Sequence, residues 1–236
     1  MPRSNDALTT AARLWPLVLV AGLALVAGPA LAHDVSEADR AAVQGIDGPA
    51  FIPFLYLGAK HMVTGYDHVL FLIGVVFYLF RLRDVVIYVS MFTIGHSLTL
   101  MGGVLLRTGA NPYLIDAIIG LSVVYKAVEN LGGFRRIGVL IDPRLAVLVF
   151  GLFHGMGLAT KLQDLALSEE GLLVNLVGFN IGVEVGQVIV LAIVVSALNV
   201  WRKSASFTAG ARYANVALVA AGLALTAYQI AGWMQE

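Results

Sequence analysis

Six apolar runs, at about 66–81, 84–106, 112–131, 143–161, 172–201 and 212–233, dominate this chain, and short polar turns separate them. Each run approaches or exceeds the roughly 20 residues that a helix needs to cross a bilayer. Short turns make consecutive helices antiparallel neighbours. The expected fold is therefore all-α, a polytopic membrane helix bundle with six transmembrane helices. Composition agrees: 59% of residues are hydrophobic and 13% charged, against about half and a quarter in water-soluble domains.

Residues 1–32 read as a cleaved signal peptide. Arg3 and Arg13 precede the apolar run from Leu17 to Val26, and Ala30-Leu31-Ala32 offers a small-residue cleavage site. Residues 33–50 form a short polar periplasmic segment, and residues 51–236 make up the six-helix transmembrane domain. Phe51 to Lys60 is apolar but only about half a span long, which is read as an interfacial or re-entrant helix. Cleavage places the new N-terminus outside, so the first, third and fifth turns between the six runs are expected in the cytoplasm. Those turns carry eight cationic residues, Arg81, Arg83, Arg135, Arg136, Arg144, Arg202, Lys203 and Arg212. The outer segments carry four, Arg40, Lys60, Arg107 and Lys161. The positive-inside rule gives the same orientation. The expected location is a bacterial-type inner membrane, crossed several times, with both mature ends in the periplasm.

Charge and cysteine usage narrow the chemistry. Net charge is zero and no basic block is present, which excludes a nucleic-acid footprint. The chain has no cysteine, so disulfides and thiolate metal sites are absent and imidazole, carboxylate, amide and thioether groups remain as ligands. Expected partners are the lipid bilayer and a metal ion, with self-association into a homo-oligomer left open.

Ionisable groups inside hydrocarbon-length segments cost free energy and mark function by default. The chain from His61 to His68 concentrates them: His61, then five residues, then Asp67 and His68. A helical spacing of seven returns His68 to nearly the face of His61, and a carboxylate beside two imidazoles supplies a ligand or an orienting acceptor. His96 lies between Thr93 and Thr99 on one stripe of an apolar helix. His154 sits between Gly151 and Gly155, a pair that admits close helix contact. Asn180, Glu184 and Gln187 fall at i, i+4 and i+7, which predicts one polar face around a mid-membrane carboxylate. With the outer face fixed as above, the expected arrangement is a track. His61, Asp67, His68 and Asp116 lie at the outer surface, His154 lies ~11 Å in, and His96 and Glu184 lie near the midplane. Asp116 is read equally as part of the outer cluster or as an acid favouring a helix N-terminus. Glu129 has Lys126 three residues before it, and a local ion pair is expected. After signal cleavage His33 becomes residue one, where its amine and imidazole together could chelate a cation. Packing, headgroup solvation or a protonated structural glutamate are the bland alternatives for these groups.

These same stretches carry a resemblance. The spacing from His61 to Tyr66-Asp67-His68, the run Phe92-Thr-Ile-Gly-His96-Ser-Leu-Thr99, the segment Ser122 to Glu129, and Phe150-Gly-Leu-Phe-His154-Gly-Met-Gly157 together resemble the HupE/UreJ membrane proteins. That family is associated with hydrogenase and urease accessory functions, and both enzymes use nickel. The resemblance covers roughly residues 51–200 and implies a nickel permease, with His61, Asp67, His68, His96 and His154 at the family's histidine-bearing positions. A weaker similarity is to the nickel/cobalt transporters, whose signature has four residues before Asp-His where this chain has five.

The leading expectation is thus a secondary permease for a divalent transition metal ion, nickel first, with cobalt, zinc and copper also suited to imidazole. The metal residues would be His61, Asp67, His68, His96, His154 and Glu184, with His33, Asp116 and Asn180 as additional candidates. No phosphate-binding P-loop is present to make ATP the direct driver. An intramembrane zinc-dependent hydrolase would use the same ligands with an open water position. A b-type haem protein would pair histidines across facing helices.

Overall fold

The computed structural model describes residue 43 and residues 46–163 and 169–235. The expected signal peptide and His33 lie outside the described residues. Eight helices and no strand occur among the described residues: α1 (Phe51–Thr64), α2 (Tyr66–Val76), α3 (Leu82–Leu106), α4 (Pro112–Asn130), α5 (Gly133–Arg136), α6 (Pro143–Gln163), α7 (Leu172–Arg202) and α8 (Phe207–Trp233). Four of them, α3, α6, α7 and α8, are long and apolar enough to cross a membrane. Helix α4 runs for 19 residues but carries Asp116, Lys126 and Glu129. Its start follows local rules, since the Asn111 side chain accepts from the Leu114 N–H at 3.1 Å and Pro112 opens the first turn.

The run expected as a full span at 66–81 is instead the 11-residue α2. The segment expected to lie at the interface is the first part of the 14-residue α1. These two short helices have one explanation. Helix α1 runs alongside α7 in the same direction, with the Phe51, Leu55 and Ala59 backbone against Gly178, Gly182 and Gly186 in turn. At the far end of α7 the Arg202 guanidinium donates to the carbonyls of Val76 (2.6 Å) and Phe77 (2.9 Å), which close α2. Together α1 and α2 therefore follow α7 as one broken rod of about 39 Å. The break is at Gly65, whose N–H donates to His61 O at 2.8 Å and whose backbone is extended. A Cβ at residue 65 would crowd His61 O and the His68 ring.

Two other pairs complete the bundle. Helices α3 and α6 also run parallel, with Gly151 against Phe92 O and Gly155 against His96 O. Helices α4 and α8 run antiparallel, joined where Gly120 meets Thr226 and where Asn130 donates to Asn215 at 2.9 Å. Small residues let the backbones approach, and dispersion over the close contact holds such pairs together where no hydrophobic effect acts between helices. Helix α2 sits in the middle, with eight of its 11 residues buried.

Candidate metal centre

His61 occupies the last turn of α1, and Asp67 and His68 the first of α2, so the broken rod delivers all three to the interior rather than to an outer surface. His96 stands mid-way along α3 and His154 mid-way along α6, held at one level by the α3–α6 glycine contacts. The four imidazoles meet around His68. Its ring centroid lies 5.0 Å from His61, 4.9 Å from His154 and 6.1 Å from His96. Asp67, His68, His96 and His154 are each at most 3% exposed, which puts the cluster out of reach of bulk water. The expected track from surface to midplane is therefore corrected to a single buried centre. The reason is the Gly65 break, which sets His61 at the end of one short helix and Asp67 and His68 at the start of the next, midway along the rod that follows α7.

Hydrogen bonds orient the rings. Asp67 Oδ1 accepts from the His68 backbone N–H at 2.7 Å and lies 2.8 Å from His68 Nδ1. His154 Nδ1 lies 2.8 Å from Phe150 O, and a carbonyl can only accept, so Nδ1 carries the proton there. Each contact fixes the orientation of a ring, the usual support for a metal-binding histidine. His61 Nε2, His68 Nε2 and both nitrogens of His96 are buried without a hydrogen-bond partner. Burying a polar atom unpaired costs about 1–3 kcal/mol, so several in one place call for a compensating ligand. Asp67, His68 and His154 offer ligand atoms all within 4.8 Å of one another. Imidazole nitrogen with carboxylate oxygen suits a divalent first-row transition ion.

Other candidates fall elsewhere. Glu184 is exposed, on the arc of α7 that also presents Val177, Ile181 and Val188. Its expected partners Asn180 and Gln187 are buried, because the opposite side of α7 carries the glycines that pack against α1. Glu184 is thus not brought to the histidines. Asn180 donates to Leu176 O at 3.1 Å within its own helix, and Gln187 Oε1 accepts from Thr93 at 2.8 Å, tying α7 to α3. Asp116 is buried and lies against Gly157, one turn along α6 from His154. Its carboxylate accepts from Lys161 Nζ at 2.8 Å. Lys161 follows His154 by seven residues, a spacing that places both on one helix face and could have flagged it in the sequence.

On the opposite side, α2, α3 and α6, which contribute His68, His96 and His154, each also contribute a phenylalanine one turn away. Phe71, Phe92 and Phe150 make contacts with ring centroids 5.4 and 5.9 Å from Phe71, and Phe71 and Phe92 lie 5.2 and 5.0 Å from His154. Beyond them Tyr125, 5.1 Å from Phe150, lines a cavity of about 580 Å³ that also holds Tyr88, Lys126, Glu129 and Asn130. There Lys126 Nζ donates to Glu129 Oε2 at 2.8 Å, the local pair that the i, i+3 spacing predicts.

No curated protein and no solved structure matches this chain. The family model described as HupE / UreJ protein matches residues 37–236. With its apolar helices and its buried histidine centre, this multi-pass membrane protein belongs to the HupE/UreJ family.

Proposed function

We propose that the chain is a secondary permease for a divalent transition metal ion, nickel or cobalt before zinc or copper. The observation that carries this reading is the convergence of His61, Asp67, His68, His96 and His154 in mid-bundle, with several buried ring nitrogens lacking partners. Membership of a family named for hydrogenase and urease accessory proteins supports nickel first. Transport needs binding weak enough for release, and a set of ligands drawn from α1, α2, α3 and α6 can loosen when those helices shift. In this reading the broken rod α1–α2 and helices α3, α4, α6, α7 and α8 make six crossings, preceded by a cleaved signal at 1–32. The protein lies in the inner membrane with both mature ends outside. The imidazoles strip water from the arriving ion, Asp67 offsets its charge and orients His68, and Phe71, Phe92 and Phe150 separate the ion from the cavity on the far side.

A haem would need a flat slot between facing histidines, whereas these rings meet edge-on with Phe71 and Phe92 against them. The test is initial-rate uptake of Ni²⁺ and Co²⁺ by cells expressing the chain, beside His68→Ala and His154→Ala. Uptake is expected with the wild type and its loss with either variant. A wild type that moves none of these ions, nor Zn²⁺ or Cu²⁺, ends the permease reading.

A further inference from the structure

We propose that Asp116 is an outer cation station held shut by the ammonium of Lys161, which an arriving divalent ion displaces before it reaches the histidines. This deepens the permease reading and rests on it. Three observations point there. Both side chains are largely buried, at 13% and 9% exposed for Lys161 and Asp116, and their Nζ–Oδ2 distance is 2.8 Å. A pair so placed has lost most of its hydration, so a single ammonium is a weak match for what a dication could offer the same carboxylate. Second, Asp116 Oδ1 is buried and has no hydrogen-bond partner, while Oδ2 holds Lys161 and only a long 3.5 Å contact from Gln229. Half of the carboxylate is thus unanswered by the protein. Third, the pair lies on the way to the centre. Asp116 Oδ1 faces Gly157, one turn from His154.

The sequence of events follows from charge alone. A dication attracted to Asp116 repels the Lys161 ammonium, whose flexible stem lets it swing outward toward the end of α6. The ion then exchanges the carboxylate for imidazoles one turn deeper, and the ammonium returns to Asp116 behind it. A tethered cation of this kind also keeps the buried carboxylate compensated whenever no ion is present.

The opposing signs of two substitutions test this. Equilibrium Co²⁺ titration of the purified full-length chain is expected to show about fivefold or more tighter binding in Lys161→Met, which frees the carboxylate, and about tenfold weaker binding in Asp116→Asn. Lys161→Arg, which keeps the charge and grips with a fork, guards against misfolding of the methionine variant and is expected to weaken Co²⁺ binding and slow its onset. A pair that only braces the fold would give equal Co²⁺ affinities in all three, or changes of one sign in Lys161→Met and Asp116→Asn, and either result overturns the proposal. Absence of metal uptake by the wild type in cells overturns the permease reading instead, and the titration still reads the station.

Discussion

Asp67 accepts from both the backbone and the ring of His68, so its charge and its geometry act on one ligand. Asp67→Asn keeps an acceptor oxygen but removes the charge, and its Co²⁺ affinity is expected to fall about 10–100-fold, the range for losing a partner that orients a metal ligand. Glu184→Gln is the contrasting case. Its side chain faces outward with Ile181 and Val188, so Co²⁺ affinity is expected to stay within about twofold, the scale of an ordinary surface substitution. The same titration reads both variants, and a large loss in Glu184→Gln would restore the mid-membrane carboxylate to the site. At this scale the histidines were legible because an imidazole in an apolar run has few bland explanations. The direction in which Glu184 points was not, because 40° of helical rotation separates it from Asn180, and only the packing of α7 decides which side of that arc is covered.

Helix pairing rests on backbone proximity. A Cβ at Gly182 would overlap Leu55 O, and one at Gly58 would overlap Phe179 O, so α1 and α7 meet through complementary glycines. Gly182→Val would force these backbones apart and is expected to cost about 1–3 kcal/mol, the usual penalty for overpacking. Thermal unfolding in detergent should show the loss as a lower midpoint, and Co²⁺ binding should weaken with it, because α1 carries His61. An unchanged midpoint would show that the pair is held some other way. The apolar runs announced most of these elements in advance. The α1–α2 rod escaped because neither half reaches span length alone, and a glycine between two histidines reads equally as a loop or as a break inside one rod. Gly65 marks the point where sequence periodicity stops and tertiary packing takes over.

Across the whole molecule the pairing has a regular form. Exchanging α1–α2 with α6, α3 with α7, and α4 with α8 converts the α1–α7 contact into the α3–α6 contact and returns α4–α8 to itself. Both of the exchanged pairs are parallel and both meet through glycines, so the two halves of the chain share one contact pattern. The sequence offers only Gly95-His96 and His154-Gly155 as a hint of it, too little to assert a repeat. Because the chain contains no cysteine, single introduced cysteines can read orientation cleanly. Gly109→Cys, in an exposed turn, is expected to react with an impermeant maleimide from outside, and Leu140→Cys only after the membrane is opened. The reverse result would invert the outer and inner ends assigned to the Asp116 and Glu129 pairs.

By itself the sequence determined that this protein is a helical membrane protein and singled out the histidines and acids that are candidates for its chemistry. Those conclusions depend on local cost: apolar length sets a span, and each imidazole in hydrocarbon must repay its desolvation wherever it sits. Tertiary structure decided that His61, Asp67, His68, His96 and His154 form one centre rather than a track, that Glu184 stays outside it, and that Lys161 covers Asp116. These are matters of relative helix depth and rotation. Both are set by glycine contacts between α1 and α7 and between α3 and α6, segments more than 50 residues apart in the chain, and no spacing within a single helix encodes them.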